Sequence, residues 1–247
     1  MSDPAEAETA RRRRHPLIQA FLVALAVVIL LPPAAVLSHR FVDPPITLLM
    51  AKRLFEGEGL RKKWRPIEEI SPNLVYAAIA AEDAHFCRHL GFDLEAIRKA
   101  IRNNERRPHK LRGGSTITQQ TAKNVFLWQG RGWVRKGLEA AYTVSLELLW
   151  GKRRTMEIYL NVVEWGPGVY GAEAAARTWF GKGADELSPS EAARLAAILP
   201  SPRKWKASGG GPYVRRRARG IQAAMGMVRA EGLARCVVGE RRSLPKG

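Results

Sequence analysis

The feature that most constrains this chain is an uncharged, largely apolar run of 21 residues from Leu17 to Leu37. A helix rises about 1.5 Å per residue, so this run is long enough to cross a hydrocarbon core of about 30 Å. The arginines from Arg11 to Arg14 precede it, and positive flanks stay on the cytoplasmic side of a membrane. We therefore predict an inner-membrane protein with a cytoplasmic tail over 1–16, a single transmembrane anchor over 17–37 and a periplasmic domain over 38–247.

A cleaved signal peptide is the alternative interpretation of the same segment. Phe21 to Leu31 has the composition of a signal-peptide core, and Pro32-Pro33 is expected to interrupt a helix. No small-residue cleavage site of the Ala-x-Ala type follows, which favours the retained anchor. Residues Met1 to Thr9 have no apolar pattern and are predicted to form a short disordered tail.

The charge balance restricts the class of partner. The formal net charge is +18, which indicates an anionic partner: nucleic acid, an anionic membrane face or a phosphorylated substrate. Nucleic-acid binding requires basic residues interleaved with exposed aromatic residues on one face. Here the basic residues are scattered, and the predicted topology places them outside the cytoplasm, so no nucleic-acid partner is expected. An apolar content of 46% also excludes a disordered chain.

The two cysteines, Cys87 and Cys236, are too few for a zinc site or a disulfide framework. An oxidising compartment would allow a single bridge between them, but the sequence does not establish one. We expect both thiols to be unpaired.

Hydrophobic spacing predicts a mainly α fold, because no strict apolar–polar alternation extends beyond a few residues. Ser71-Pro72 has the features of a helix start, and Trp133 to Trp150 has the spacing of a long helix. Ser188 and Glu191 form a capping-box pattern at the start of a further helix. The other predicted segments are a loop over 103–111, a turn-rich loop over 166–171, a basic helix over 215–228 and a tail beyond residue 232.

Glu82 and Asp83 follow a run of small and apolar residues, Tyr76 to Ala81, which is typical of a buried helix. A carboxyl group that emerges from an apolar wall has its pKa raised by desolvation, as acid–base chemistry near neutral pH requires. A solvated pair at a helix end is the simpler alternative for these two residues.

The segment from Arg112 to Asn124 is rich in hydroxyl and carboxamide groups. Its two glycines, Gly113 and Gly114, let backbone N–H groups approach a ligand closely. Such a segment suits sugars or phosphates, and Lys123 adds a positive charge. Gly-Gly-Ser-Thr on its own is only a loop signal.

Four motifs in this order resemble those of the peptidoglycan glycosyltransferase family, the enzymes that polymerise lipid II. They are Glu82 to Asp93, Arg112 to Gln120, Arg135-Lys136-Gly137-Leu138-Glu139, and Lys152 to Asn161. The resemblance extends from about Pro66 to Pro202, inside the predicted domain. It implies a lysozyme-like, two-lobed helical domain whose smaller lobe is close to the membrane. We expect a monofunctional enzyme, because the sequence leaves no room for a transpeptidase domain after this pattern.

The resemblance implies an inverting transfer between lipid-linked disaccharides that builds β-1,4-linked glycan and releases polyprenyl diphosphate. Glu82 would be the general base, and Glu139 a second catalytic residue that orients cations or holds a divalent cation such as Mg²⁺ or Mn²⁺. The implied partners are lipid II, the growing lipid-linked glycan, the membrane, and proteins of cell-wall synthesis or division. The implied substrate-binding residues are Asp83, His89, Gly114, Ser115, Thr116, Gln119, Gln120, Lys123, Asn124, Arg135 and Lys136.

A lytic enzyme that cleaves existing glycan is the main alternative, since that class shares a similar fold and a similar lone glutamate. A lytic enzyme has no pyrophosphate to bind. The positive charges of Lys123, Arg135 and Lys136 therefore favour the polymerase.

Overall fold

The computed structural model describes residues 4–106, 113–130 and 132–239; in the first helix it describes side chains at 16, 18–23, 25–27 and from 29 onward. This helix, α1, spans Pro4–Phe41. It contains Ile18–Phe41, the one candidate membrane span of the described residues, with a mean hydropathy of 2.7. The helix continues through Pro32 and Pro33, where an interruption is predicted. It begins at Pro4, so the predicted disorder is wrong for residues 4–9.

The remaining described residues form helices around a small sheet. The helices are α2 (Leu48–Phe55), α3 (Pro72–Glu82), α4 (Leu94–Arg106), α5 (Ile117–Phe126), α6 (Trp133–Leu149), α7 (Gly151–Val162), α8 (Ala172–Phe180), α9 (Pro189–Ile198), α10 (Pro212–Ala230) and α11 (Arg235–Val238), with a 3₁₀ turn at Ile67–Glu69. The predicted starts at Pro72, Trp133 and Pro189 are confirmed, and Ser188 and Glu191 form the predicted capping box. Residues 103–106 are helical and not loop; the rest of that predicted loop lies outside the described residues.

A three-stranded sheet replaces part of the predicted turn-rich loop. Its strands are β1 (Arg61–Lys62), β2 (Glu164–Gly166) and β3 (Val169–Tyr170), with β3 in the centre, parallel to β1 and antiparallel to β2. Gly168 has a φ of +67° in the turn, and a side-chain carbon there would overlap the Glu58 carbonyl. Strands of two or three residues are too short to produce an alternating pattern, which is why the sequence does not predict them.

Two apolar cores underlie the two lobes. The larger one includes α3, α8, α9, α10 and α11, with Trp165 and Tyr159 fully buried. The smaller one joins the end of α1 to α2, α5 and α6, and there Trp150 Nε1 donates a hydrogen bond of 2.6 Å to the Val36 carbonyl. Helix α7 contributes residues to both cores. The smaller lobe therefore contains the end of the candidate membrane helix.

A disulfide between Cys87 and Cys236 contradicts the prediction of unpaired thiols. The two Cα atoms are 5.7 Å apart, within the normal range for a disulfide. Helix α11 brings them together, because its Val237 is buried in the larger core and the Val237 carbonyl accepts a hydrogen bond from Arg153. The predicted tail beyond residue 232 is thus packed against the domain through residue 238, and the disulfide joins it to the loop that follows Glu82.

Candidate active site

Glu82 is the last residue of α3, and a run of buried residues from Leu74 to Ile79 precedes it. Burial raises the pKa of its carboxyl group above the usual value. A hydrogen bond from Gln120 and the positive charges of Arg217 and Lys123 act in the opposite direction, without cancelling the effect of burial. This is the raised pKa that the sequence predicts for Glu82.

Both oxygens of the Glu82 carboxylate have a neighbour. Gln120 Nε2 donates a hydrogen bond of 3.0 Å to Oε2, and Arg217 Nη2 lies 3.6 Å from Oε1. The hydroxyl group of Tyr159 lies 3.5 Å from Gln120 Oε1. Complete burial, with the charges of Glu82 and Asp83 nearby, raises the pKa of Tyr159 well above its usual value. Its hydroxyl group therefore stays protonated and donates, which turns the Gln120 amide so that its NH₂ group points to Glu82.

Asp83 has its hydrogen-bond partners inside the protein. Its Oδ2 accepts the backbone N–H of Ile117 at 2.9 Å, at the start of α5. The Nε2–H group of His89 donates to Oδ1 at 2.9 Å and lies 3.1 Å from Oδ2. Asp83 and His89 therefore connect the end of α3 to the start of α5, an arrangement that fixes the position of the helix end that carries Glu82.

Thr116 and Gln119 hold the start of α5 in place. They form a reciprocal capping box, in which the Thr116 side chain accepts the Gln119 N–H and the Gln119 side chain accepts the Thr116 N–H. The Thr116 hydroxyl also lies 2.6 Å from the Gly91 carbonyl and donates to it. Both residues are buried. Their predicted contact with substrate stays a prediction, and the geometry gives them a role in positioning the loop.

A polar cavity of about 470 Å³ opens beside Glu82. His85 stands in its wall, and its Nδ1–H donates a hydrogen bond of 2.9 Å to Asp93, which also accepts the N–H of Ala96 at 2.8 Å. The cavity is polar and in the size range of small-ligand sites. Its lining also includes Asp83, Asp93, Glu95, Lys99, Gly113, Gly114, Ser115 and Thr116.

Arg135, Lys136 and Glu139 meet on one turn of α6. Glu139 is only 3% exposed, and its carboxylate accepts hydrogen bonds from Arg135 Nη1 at 2.8 Å and from Lys136. The pair of Arg135 and Glu139 is therefore not an ordinary surface pair at i,i+4 spacing. Two cations on one carboxylate leave this turn with a net positive charge.

Lys123 on α5 lies within electrostatic range of both glutamates. Burial lowers the pKa of its ammonium group, and the charges of Glu139, Arg135, Lys136 and Glu82 all act on it. In the part of the chain that the structure describes, Lys123 forms no ion pair within 4.0 Å. Its charge is thus available to an anionic ligand between Glu82 and Glu139. Asn124, the next residue of α5, is buried.

The surroundings of Glu139 do not fit a resident divalent cation. Mg²⁺ and Mn²⁺ favour several oxygen ligands, but both oxygens of Glu139 are already bonded to Arg135 and Lys136. Among the described residues there is also no group of three or more His, Cys, Asp or Glu side chains that could hold a metal ion. The predicted cation stays a prediction.

Sequence reasoning missed Arg217, which lies within a run of three arginines on the basic helix α10. A signal was present, because Arg217 is three residues after Val214 and four before Ile221, both buried. Residues at this spacing share one face of a helix. The helical period could therefore have shown which arginine points into the domain. His85 and Lys99 carry no comparable signal.

Comparison with known proteins finds a matching family and relatives that cover most of the chain. Residues 50–226 match the Transglycosylase family profile. The chain is 56% identical over 227 residues to a protein of Caulobacter vibrioides named biosynthetic peptidoglycan transglycosylase, covering 92% of this chain and 97% of the relative. Proteins of the same name from Rhodospirillum centenum and Xanthomonas campestris pv. campestris are 48% and 50% identical, over 90% and 89% of this chain and 96% and 92% of the relatives.

Proposed function

The chain belongs to the transglycosylase family and is a peptidoglycan glycosyltransferase, and we propose that it polymerises lipid II with Glu82 as the general base. The observation that carries this mechanism is the surroundings of Glu82. Its carboxyl group has a raised pKa, borders a polar cavity and lies within electrostatic range of Lys123. Lys123 in turn interacts with the charges of Arg135 and Lys136.

In the proposed reaction, Glu82 accepts the proton of the acceptor's 4-hydroxyl group. The oxygen attacks the anomeric carbon of the donor from the face opposite the leaving group, and the bond between that carbon and the pyrophosphate oxygen breaks. The product is a β-1,4 linkage with inverted configuration, and polyprenyl diphosphate leaves. A single displacement needs no covalent intermediate, and the buried carboxylate of Glu139, held by two cations, is poorly suited to act as a nucleophile.

The leaving group gains negative charge in the transition state. Lys123, Arg135 and Lys136 are proposed to stabilise that charge, since cations fixed in a partly dry site need little reorganisation. Glu139 holds two of these cations in place. The burial that lowers the pKa of Lys123 also strengthens its interaction with an incoming phosphate.

A lytic reaction also uses a carboxyl group with raised pKa, but as an acid that protonates a leaving oxygen. The cationic turn of α6 is better suited to a pyrophosphate than to a neutral glycan. Purified protein incubated with lipid II, and separately with preformed glycan, tests this choice. Polymer from lipid II with Glu82 intact and none from Glu82→Gln supports the proposal; fragments from glycan without polymer would overturn it.

We further propose that α1 is a retained anchor with its N-terminus in the cytoplasm and the catalytic domain in the periplasm. The Cys87–Cys236 disulfide supports this location, because disulfides persist in oxidising compartments. The N-terminal sequence of the mature protein tests it. A mature chain that begins near residue 38 would show that α1 is removed.

A further inference from the structure

Helix α4 is amphipathic, yet none of its residues is buried. Leu94, Ile97 and Ile101 share one side of it, where Leu94 is 63% and Ile101 52% exposed. Lys99 and Arg102 lie on the other side. The apolar side of such a helix normally packs against a core, but the described residues leave Leu94 and Ile101 uncovered.

The backbone of α4 passes close to the loop that contains Gly114. A Cβ atom at Gly114 would lie 3.2 Å from Ile97 Cα and 3.3 Å from Ala100 Cβ, closer than ordinary contacts. This close approach separates two cavities that α4 helps to line. The polar cavity beside Glu82 is on one side; on the other is a cavity of about 270 Å³ lined by Ile97, Ala100, Ile101, Asn104, Gly114, Ser115, Gln119 and Lys136.

The second cavity combines an apolar wall with a cation. Ile97, Ala100 and Ile101 supply the apolar wall, and Lys136 belongs to the cationic turn of α6. Trp133 lies one turn before Lys136 on the same face of α6 and is 93% exposed. A ligand with an anionic head and a hydrocarbon tail matches this combination.

We propose that the prenyl groove, formed by Ile97, Ala100 and Ile101 beside Lys136, binds the first isoprene units of the donor's polyprenyl chain. The inference rests on the proposed function. A lipid-linked donor has its sugar, pyrophosphate and hydrocarbon in that order. The protein presents the polar cavity of Glu82 and the prenyl groove on the two sides of Gly114, and Lys136 of the cationic turn lines the groove.

Equilibrium binding tests the groove without requiring turnover. The full chain in detergent is titrated with geranylgeranyl diphosphate, which has four isoprene units, and with dimethylallyl diphosphate, which has one. We expect at least tenfold tighter binding of the longer ligand, since each buried methylene contributes about 0.8 kcal/mol. The double substitution Ile97→Ser and Ile101→Ser should reduce that preference about fivefold or more, with a much smaller loss for the short ligand, which places a single isoprene unit in the groove.

Leu148→Ser is the matched control, because Leu148 is 78% exposed on α6 and lies outside the groove. It should keep the full preference for the longer ligand. If the double variant does not fold, Ile101→Ser alone, at an exposed position, tests the same preference for the longer ligand. Lys136→Gln should weaken both ligands by a similar factor, since both carry the diphosphate.

A double variant that keeps the wild-type preference for the longer ligand would overturn the proposal. An equal loss of affinity for both ligands would also overturn it. Reduced activity confined to vesicles, with both affinities intact, would also overturn it, because α4 would then contact the membrane. Wild-type protein that binds the longer ligand selectively but makes no polymer from lipid II contradicts the proposed function and leaves the groove in place.

Discussion

The guanidinium group of Arg217 lies 3.6 Å from the carboxylate of Glu82 and connects α10 to the end of α3. Burial raises the pKa of Glu82, and the charge of Arg217 lowers it. A general base must be ionised at the working pH and still basic enough to accept a proton. The contact with Arg217 therefore limits the rise in the pKa of Glu82 that burial causes.

Glu82→Gln retains the size of the side chain and removes the base. General base catalysis typically contributes about 10²–10⁴-fold. The kcat of this variant should therefore fall at least about 10²-fold, while lipid II binding persists. Glu105→Gln, an exposed position on α4, should keep wild-type turnover. A near wild-type polymerisation rate for Glu82→Gln would show that the base is another group.

Arg217→Gln should shift the pH dependence of kcat/KM. Arg217 lowers the pKa of Glu82, so its removal raises that pKa further, and the base becomes protonated at a higher pH. The acid limb of the profile should therefore move to higher pH, and Arg217→Lys should restore part of the shift. Arg216→Gln, at an exposed position on the same helix, should leave the profile unchanged. An unmoved acid limb in Arg217→Gln would contradict this role.

Glu139→Gln should weaken donor binding and turnover together. The substitution removes the charge that holds Arg135 and Lys136 on one turn of α6. Hydrogen bonds to charged groups contribute roughly 1.5–3 kcal/mol, so KM for lipid II should rise about tenfold or more. Thermal melting checks that the variant is folded. A lower kcat with unchanged donor affinity would instead assign Glu139 to the chemical step.

The sequence predicts the parts of the site that lie within single segments. Glu82 follows an uninterrupted apolar run, and Arg135, Lys136 and Glu139 are spaced by one helical turn, so local patterns are sufficient for both. The membrane-spanning length of α1 is predictable for the same reason. The exact contacts of Asp83 and Thr116 cannot be predicted from a local pattern, because each depends on how α3, α4 and α5 pack.

Long-range contacts limit what can be predicted. The cysteines of the disulfide are separated by 149 residues, and no local pattern pairs them. The pairing depends on α11, whose four residues are too few to show a helical period. Arg217 reaches Glu82 only because α10 packs against α3, and no local sequence pattern predicts that packing.

Loss of the Cys87–Cys236 disulfide should lower stability. A disulfide restricts the unfolded chain and typically contributes about 2–4 kcal/mol, with larger values for long loops. Reduction by a dithiol should therefore lower Tm, and the double substitution Cys87→Ser and Cys236→Ser should lower it by a similar amount. The double variant should then be insensitive to the reductant. Equal Tm values for the oxidised and reduced protein would show that α11 is held by packing alone.

Glu173 should make stability depend on pH in acid. Burial alone would raise its pKa, but Arg65, the N–H of Ala184 and Arg177 lower it from 4.5 to about 2. Because the folded-state pKa is the lower one, this stabilisation is complete above pH 4.5 and is lost as the pH falls towards 2. A shift of this size corresponds to about 3 kcal/mol. The free energy of unfolding of wild type should exceed that of Glu173→Gln by about this amount at pH 7, and the difference should shrink as the pH approaches 3. A difference that stays constant across this range would show that Glu173 stabilises the fold through packing and not through its charge.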